Sequence, residues 1–271
     1  MSSHKSVLQT EESFHDDWAA SITMEDLDIY LAFTAVTVPE FQYALNALGD
    51  LKGKYLLDAG CGPGESSIFL ANHGAKVTGI DISSGMIGIA RKLAAKFEIH
   101  EDRLKFTQMD VEMLQFPDAT FDLVFGSNII HHCNVTPASR EIARVLKPGG
   151  RAVFVDPLGY NPIINYYRRM AFKVRTTREH PLFYPDLDLI SRNFRSLSHK
   201  EFQFTTLGIF IWFFLAEHVH PNEKRYWRKY VLEGYRYANV FRRLFTIDQF
   251  LLNYLPVLRR LCWNVVIICD K

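Results

Sequence analysis

An α/β protein whose mostly parallel, seven-stranded sheet is covered by helices on both faces is what this sequence predicts, on three observations. Short apolar runs alternate with helical patterns from residue 55 onward, the signature of strands joined by crossover helices. A glycine-rich turn, GCGPG at 60–64, follows the first run directly. Three successive runs carry an aspartate at or next to their ends: Asp58, Asp81 and Asp110. Strands alternating with helices mean a parallel sheet covered on both faces.

In chain order, YLLDA (55–59) is predicted as a buried first strand, followed by the glycine turn and a helix reaching Asn72. AKVTGID (75–81) is the second strand, and SGMIGIARKLAAKF (84–97) a helix with apolar residues at three- and four-residue spacing. LKFTQMD (104–110) and FDLVFGS (121–127) are the third and fourth strands. ASREIARVL (138–146) is a helix stopped by KPGG, and RAVFVDP (151–157) is the fifth strand. EFQFTTL (201–207) and CWNVVIICD (262–270) are predicted as strands six and seven. The segment between them, rich in Phe, Trp, Tyr and Arg, reads as a helical insertion. Ahead of the sheet, residues 10–48 look helical, with Trp18, Ile22, Leu27, Tyr30, Leu31 and Phe33 on an apolar face. The expected division is a helical cap over 1–50, a ligand-binding core over 51–160, and an acceptor-side region over 161–271 that includes the last two strands.

With 271 residues, 48% of them hydrophobic and 14% aromatic, the chain can bury a sizeable core, which excludes a disordered class. The net charge is only +1, but residues 1–150 carry 12 Lys and Arg against 20 Asp and Glu, while residues 151–271 carry 19 against 10. The basic half fits ion pairing with the acidic half, a phosphorylated acceptor, or peripheral contact with an anionic membrane. Cys61, Cys133, Cys262 and Cys269 have no C-x-x-C spacing, so neither a zinc site nor a disulfide framework is expected, and no metal is predicted. The N-terminus lacks an apolar signal core, and the longest apolar run, LGIFIWFFLA (207–216), is about half of the ~20 residues a spanning helix needs. A cytoplasmic protein is expected, with peripheral membrane contact as a variant. A homodimer through the helical insertion is a further expectation, with no motif behind it.

A turn with so few side chains lets a ligand approach the backbone. Dinucleotides use G-x-G-x-x-G with a pyrophosphate at the helix N-terminus. Here the third glycine comes one residue too early, and Asp58 would set a carboxylate near any pyrophosphate. The same carboxylate suits an ammonium. That comparison favours S-adenosylmethionine (SAM), which carries a zwitterionic amino acid, a sulfonium, a ribose and adenine.

DAGCGPG at 58–64, GID at 79–81 and QMD at 108–110 together resemble the class I SAM-dependent methyltransferases, which are Rossmann-like. FHDDWA (14–19), SNIIHH (127–132), RVLKPGG (144–150) and DPLGYNPIINYYRR (156–169) are similar to the small-molecule group that contains the ubiquinone and menaquinone methyltransferases. The resemblance implies that Asp58, Gly60, Cys61 and Gly62 hold the methionine end of SAM. It places both ribose hydroxyls on Asp81, adenine against Ile82 and Met86, and the adenine amine on Asp110 with Val111 beside it. Ser127 and Asn128 would face the methyl donor and acceptor, and His15 and Trp18, in the segment expected to fold over the cofactor, are lid candidates.

Methyl transfer from a sulfonium is an in-line displacement with a neutral leaving group, so alignment and water exclusion do most of the work. A base is needed only when the acceptor has a proton to lose, and His131 and His132 follow the fourth strand where such a base would sit. Tyr30, Tyr160, Tyr166 and Arg169 are candidate acceptor contacts, and Arg168, Arg175 and Arg178 are further cations near the fifth-strand end. DPLGY (156–160) superficially matches the motif of DNA amino-methyltransferases, but it follows the fifth strand rather than the fourth, so nucleic acid is not the expected partner. The expected activity is methyl transfer to a small, largely hydrophobic acceptor, such as a quinone-like phenol, a prenyl or other lipid, or a natural-product intermediate. A SAM-binding partner that does not methylate, and a SAM-dependent cyclase, are the alternatives.

Overall fold

The apolar run YLLDA forms strand β1 (Tyr55–Ala59), whose residues 56–59 are all buried. In this computed structural model, which describes residues 2–176, 179–222 and 225–271, β1 lies at the centre of a single sheet. Three helices precede it: α1 (Ser2–Ala20), α2 (Leu31–Thr34) and α3 (Pro39–Leu48). The alternating core continues with α4 (Glu65–Asn72), β2 (Lys76–Asp81), α5 (Ser84–Lys96), β3 (Leu104–Gln108), β4 (Phe121–Ser127), α6 (Val135–Val145) and β5 (Leu146–Pro157). After it come α7 (Pro162–Met170), α8 (Tyr184–Ser191), β6 (Ser196–Phe202), α9 (Gly208–Leu215), α10 (Tyr226–Leu232), α11 (Gly234–Tyr254) and β7 (Asn264–Asp270).

The strand order is β3-β2-β1-β4-β5-β7-β6. All neighbours are parallel except β7, which runs antiparallel to both β5 and β6. The order reverses between β1 and β4, and ligands of open α/β sheets bind beyond the carboxyl ends of the strands at such a point. One face of the sheet buries Leu56, Val77, Phe106, Phe125 and Val153 with α3, α4 and α5. The other buries Leu57, Ile80, Val124, Ala152 and Ile267 with α6 and α8. A third apolar cluster, built on Phe210, Phe213, Tyr226, Tyr230 and Phe241, holds α9, α10 and α11 together and reaches Ile164 of α7.

Several boundaries differ from the sequence expectation for local reasons. The sequence predicts the sixth strand at 201–207, but it runs Ser196–Phe202. The Asp248 carboxylate accepts from the backbone N–H of Phe204 (3.0 Å) and Thr205 (2.7 Å), which turns the chain into a 3₁₀ segment at Thr205–Leu207. The KPGG segment does not end the α6 helix alone; it belongs to β5, where a bulge separates the Phe121–Leu146 pair from the Leu123–Arg151 pair. Helix α6 starts at Val135, three residues early, because the Asn134 side chain accepts from Thr136 N–H. No helix among the described residues is long and apolar enough to cross a membrane.

Candidate functional site

The glycine turn between β1 and α4 is held open by backbone geometry. Gly60 has φ +70°, and a Cβ there would lie 2.7 Å from the Ile129 side chain. Gly62 has φ +51°, and a Cβ there would meet nothing within 4 Å, so its surroundings are open space. The Asp81 carboxylate locks the turn, accepting from Gly62 N–H at 2.9 Å with one oxygen and from Ser83 N–H at 2.9 Å with the other. Cys61 N–H donates to Ile80 O at 2.8 Å, tying β1 to β2 at the same level. Asp58 is 1% exposed, and Ser67 Oγ donates to it at 2.6 Å. Burial drives its pKa up against that hydrogen bond, Asp81 adds repulsion, and the value reaches about 7.

A cavity of about 330 Å³ opens at this rim. Its lining includes every predicted cofactor residue: Trp18, Asp58, Gly60, Cys61, Gly62, Asp81, Ile82, Met86, Asp110, Val111, Ser127 and Asn128. They converge because β1, β2 and β4 end side by side and the loop after β3 lies next to them. Asn128 sits at φ +55°, fixed by its N–H bond to Val155 O, and its amide donates to Ser127 Oγ at 3.1 Å. Helix α1 closes over α5: Asp16 Oδ1 accepts from Ser83 Oγ at 2.5 Å and from Gly85 N–H at 2.9 Å. Trp18 comes with it, covered by the Arg225 guanidinium 3.9 Å from its ring centre.

The predicted acceptor contacts fare differently. Tyr30 and Tyr166 are 50% and 63% exposed, Arg169 is exposed, and none of the three lines the cavity. Tyr160 is also outside it, packed on Phe183 and accepting from Tyr184 N–H at 2.9 Å. The reason for Tyr166 and Arg169 is the phase of α7, whose inner face carries Ile164, Tyr167, Arg168 and, one turn on, Ala171, all of which line the cavity. Arg178 lies outside the described residues.

Both predicted histidines line the cavity, in unlike surroundings. His131 is buried, with Nδ1 2.7 Å from Asp156 and Nε2 3.3 Å from Glu179. Burial opposes its charge, but the two carboxylates outweigh it and hold its pKa above the usual histidine value. Glu179, despite burial, is drawn down to about 2 by His131 and by Arg175, which bonds it at 2.7 Å. With a carboxylate on each ring nitrogen, His131 has no lone pair for a substrate proton. His132 is the opposite case: burial and the neighbouring His131 charge push its pKa down, so it stays neutral. Its Nδ1 faces Glu11 Oε2 at 3.3 Å, and His15 Nε2 approaches the same oxygen at 3.8 Å. Two trios, Glu11–His15–His132 and His131–His132–Glu179, each bring three ligating atoms within 4.8 Å of one another.

Sequence reasoning missed Glu11, Asp156 and Glu179. Glu11 had a signal, since it stands four residues before His15 and shares its helix face. Glu179 had a weaker one in its four-residue spacing from Arg175. Asp156 stands in the sequence as a strand end and as the first residue of DPLGY, and neither reading points to a histidine partner.

Residues 57–154 match the family model described as a methyltransferase domain. Over 106 residues the chain is 38% identical to the S-adenosyl-L-methionine-dependent Diels-Alderase of Talaromyces variabilis, covering 38% of this chain and 36% of that protein. Over 122 residues it is 36% identical to the ubiquinone biosynthesis O-methyltransferase of Alkalilimnicola ehrlichii, covering 44% of this chain and 48% of that one. The chain thus spans less than half the length of these curated relatives. Among solved structures it resembles geranyl diphosphate C-methyltransferase from Streptomyces coelicolor, with a TM-score of 0.58 and 16% identity over 86% of this chain and 78% of that one, a likeness of fold. The sheet order, the glycine turn and the carboxylates at the strand ends define a Rossmann-like, nucleotide-type cleft. The chain carries a class I SAM-dependent methyltransferase domain, a class whose cofactor is S-adenosylmethionine.

Proposed function

We propose that this protein transfers the methyl group of SAM to a small, largely hydrophobic acceptor bound in the same cavity. One observation carries the reading: a single cavity runs from the glycine turn and Asp81 to a wall made of Ile164, Tyr167, Ala171, Tyr230 and Trp263. The first end offers backbone and carboxylate partners for a zwitterion and a ribose; the second offers apolar and aromatic surface with a few charged groups, Arg168, Arg175 and Arg225 among them. In this arrangement Asp58, Gly60, Cys61 and Gly62 take the amino-acid end, Asp81 the ribose, Ile82 and Met86 the adenine face, and Asp110 the adenine amine. Ser127 and Asn128 lie between donor and acceptor. Residues 1–50 act as the cap, residues 51–160 as the cofactor core, and residues 161–271 build the acceptor side.

A phenolic or enolic acceptor must lose a proton. The Glu11, His15 and His132 side of the cavity handles that proton, because the His131 ring already has both nitrogens committed. Quinone-like phenols, prenyl or other lipids and natural-product intermediates all suit the apolar wall. Trp212 and Leu215, 57% and 65% exposed on α9, together with exposed Arg242 and Arg243 on α11, suit peripheral contact with a membrane that supplies a lipid-like acceptor. The likeness to a SAM-dependent Diels-Alderase favours a second reading, in which the sulfonium acts only through its charge on a cyclising substrate.

Incubation with methyl-labelled SAM and fractionated phenolic and lipid extracts tests both. Label in an organic-soluble product, with demethylated cofactor formed in equal amount, supports methyl transfer. An altered product without loss of methyl from SAM supports the cyclase. Failure of SAM to bind at all removes both.

A further inference from the structure

Helix α1 places Glu11 and His15 one turn apart, and the segment after β4 brings His132 against them. Glu11 is 4% exposed, yet neither of its carboxylate oxygens has a hydrogen-bond partner among the described residues. His132 Nδ1 is likewise buried and unpaired: it stands 3.3 Å from Glu11 Oε2, within reach but misaligned for a hydrogen bond. Three of the five buried unpartnered side-chain atoms among the described residues therefore belong to this pair, and a fourth, Thr176 Oγ1, is on a residue that also faces Glu11. Buried polar atoms are almost always partnered, and a buried carboxylate without a countercharge is costly.

The spacing suits a shared ion. A cation about 2.1 Å from each of three ligands sets them roughly 3.0 Å apart in octahedral and 3.4 Å apart in tetrahedral coordination. The Glu11–His132 and Glu11–His15 separations are 3.3 and 3.8 Å, and the three ligating atoms lie within 4.8 Å of one another. Two imidazoles and one carboxylate with vacant positions form a donor set typical of zinc or ferrous iron.

We propose that Glu11, His15 and His132 form a binding site for a divalent first-row metal ion, with its open positions facing the acceptor end of the cavity. The inference rests on the proposed use of that cavity and specifies how the acceptor's proton is handled: an acceptor hydroxyl bound to the ion would be acidified by it and would release its proton to solvent water, without a free protein base. His131, fixed between Asp156 and Glu179, then serves as an ordered neighbour of the ligand His132 rather than as a catalytic residue.

Cobalt(II) is the probe, because its visible absorption reports coordination directly. Titration of the metal-stripped full chain should show saturable absorption at one equivalent. Glu11→Gln, His15→Ala and His132→Ala should each weaken binding by at least ~10–100-fold, the loss seen even when only a supporting neighbour of a metal ligand is removed. SAM affinity by calorimetry and the circular dichroism spectrum, measured on the same variants, separate a lost metal site from a lost fold. Should the native chain give no saturable cobalt spectrum, or should the three variants bind cobalt as well as it does, the site does not exist. If cobalt binds as expected while SAM does not, the metal site stands and the methyl-transfer reading falls.

Discussion

Lowering the pH should weaken SAM binding through Asp58. This carboxyl is 1% exposed and burial, reinforced by Asp81, raises its pKa to about 7 in the free protein. An ammonium docked beside it favours the ionised form, so binding below neutrality must expel a proton. At about pH 6 roughly one carboxyl in ten is ionised, so affinity should be roughly tenfold weaker than at about pH 8, a difference of about 1.4 kcal/mol. Calorimetry across that range reads the affinity, and repeating it in buffers of different ionisation enthalpy reads the released proton. Asp58→Asn should bind more weakly at about pH 8 and show a flattened profile. An unchanged affinity from about pH 8 to about pH 6, with no buffer dependence of the heat, would refute both the raised pKa and the placement of the amino-acid end of SAM at β1.

Further outcomes follow from the same geometry. Gly60→Ala combines a positive φ with a Cβ 2.7 Å from Ile129, so it should cost on the order of 1–3 kcal/mol in thermal unfolding and abolish SAM binding, whereas Gly88→Ala, which meets nothing within 4 Å, should do neither. His131→Asn leaves Asp156 and Glu179 facing each other without the ring's charge and should destabilise the fold by ~3–5 kcal/mol in denaturant titrations. Glu40, buried beside Gln203 and Asn264, has its pKa raised by burial to about 7. A raised folded-state pKa means that its stabilising contribution is complete below about 4.5 and is lost as pH rises through about 7, on the order of 3 kcal/mol in all. Melting curves of Glu40→Gln should therefore gain on the native chain between about pH 5 and about pH 8; equal shifts for both would remove Glu40 as the cause.

Much of the cofactor end was written locally. The run YLLDA followed by GCGPG can only be a strand meeting a side-chain-poor turn, and the aspartates at 58, 81 and 110 fall beside one another because parallel strands in adjacent positions end at the same rim. The acceptor end was less legible. Tyr166 and Tyr167 are neighbours in sequence and indistinguishable by type, and only the rotation of α7, set by Ile164 packing into the α9–α11 cluster, decides that Tyr167 faces the cavity.

The sequence by itself determined the alternating fold, the open turn and the carboxylate set at its rim, since each depends on spacing within a few residues. The tertiary structure alone decided that Glu11 meets His132 and that Asp156 and Glu179 clamp His131, because these partners come from segments more than a hundred, 25 and 48 residues apart. Side-chain type and local period carry no information on which distant groups share a buried volume, and it is those groups that set two adjacent histidines apart: the carboxylates of Asp156 and Glu179 raise the pKa of His131 against burial, while burial lowers that of His132.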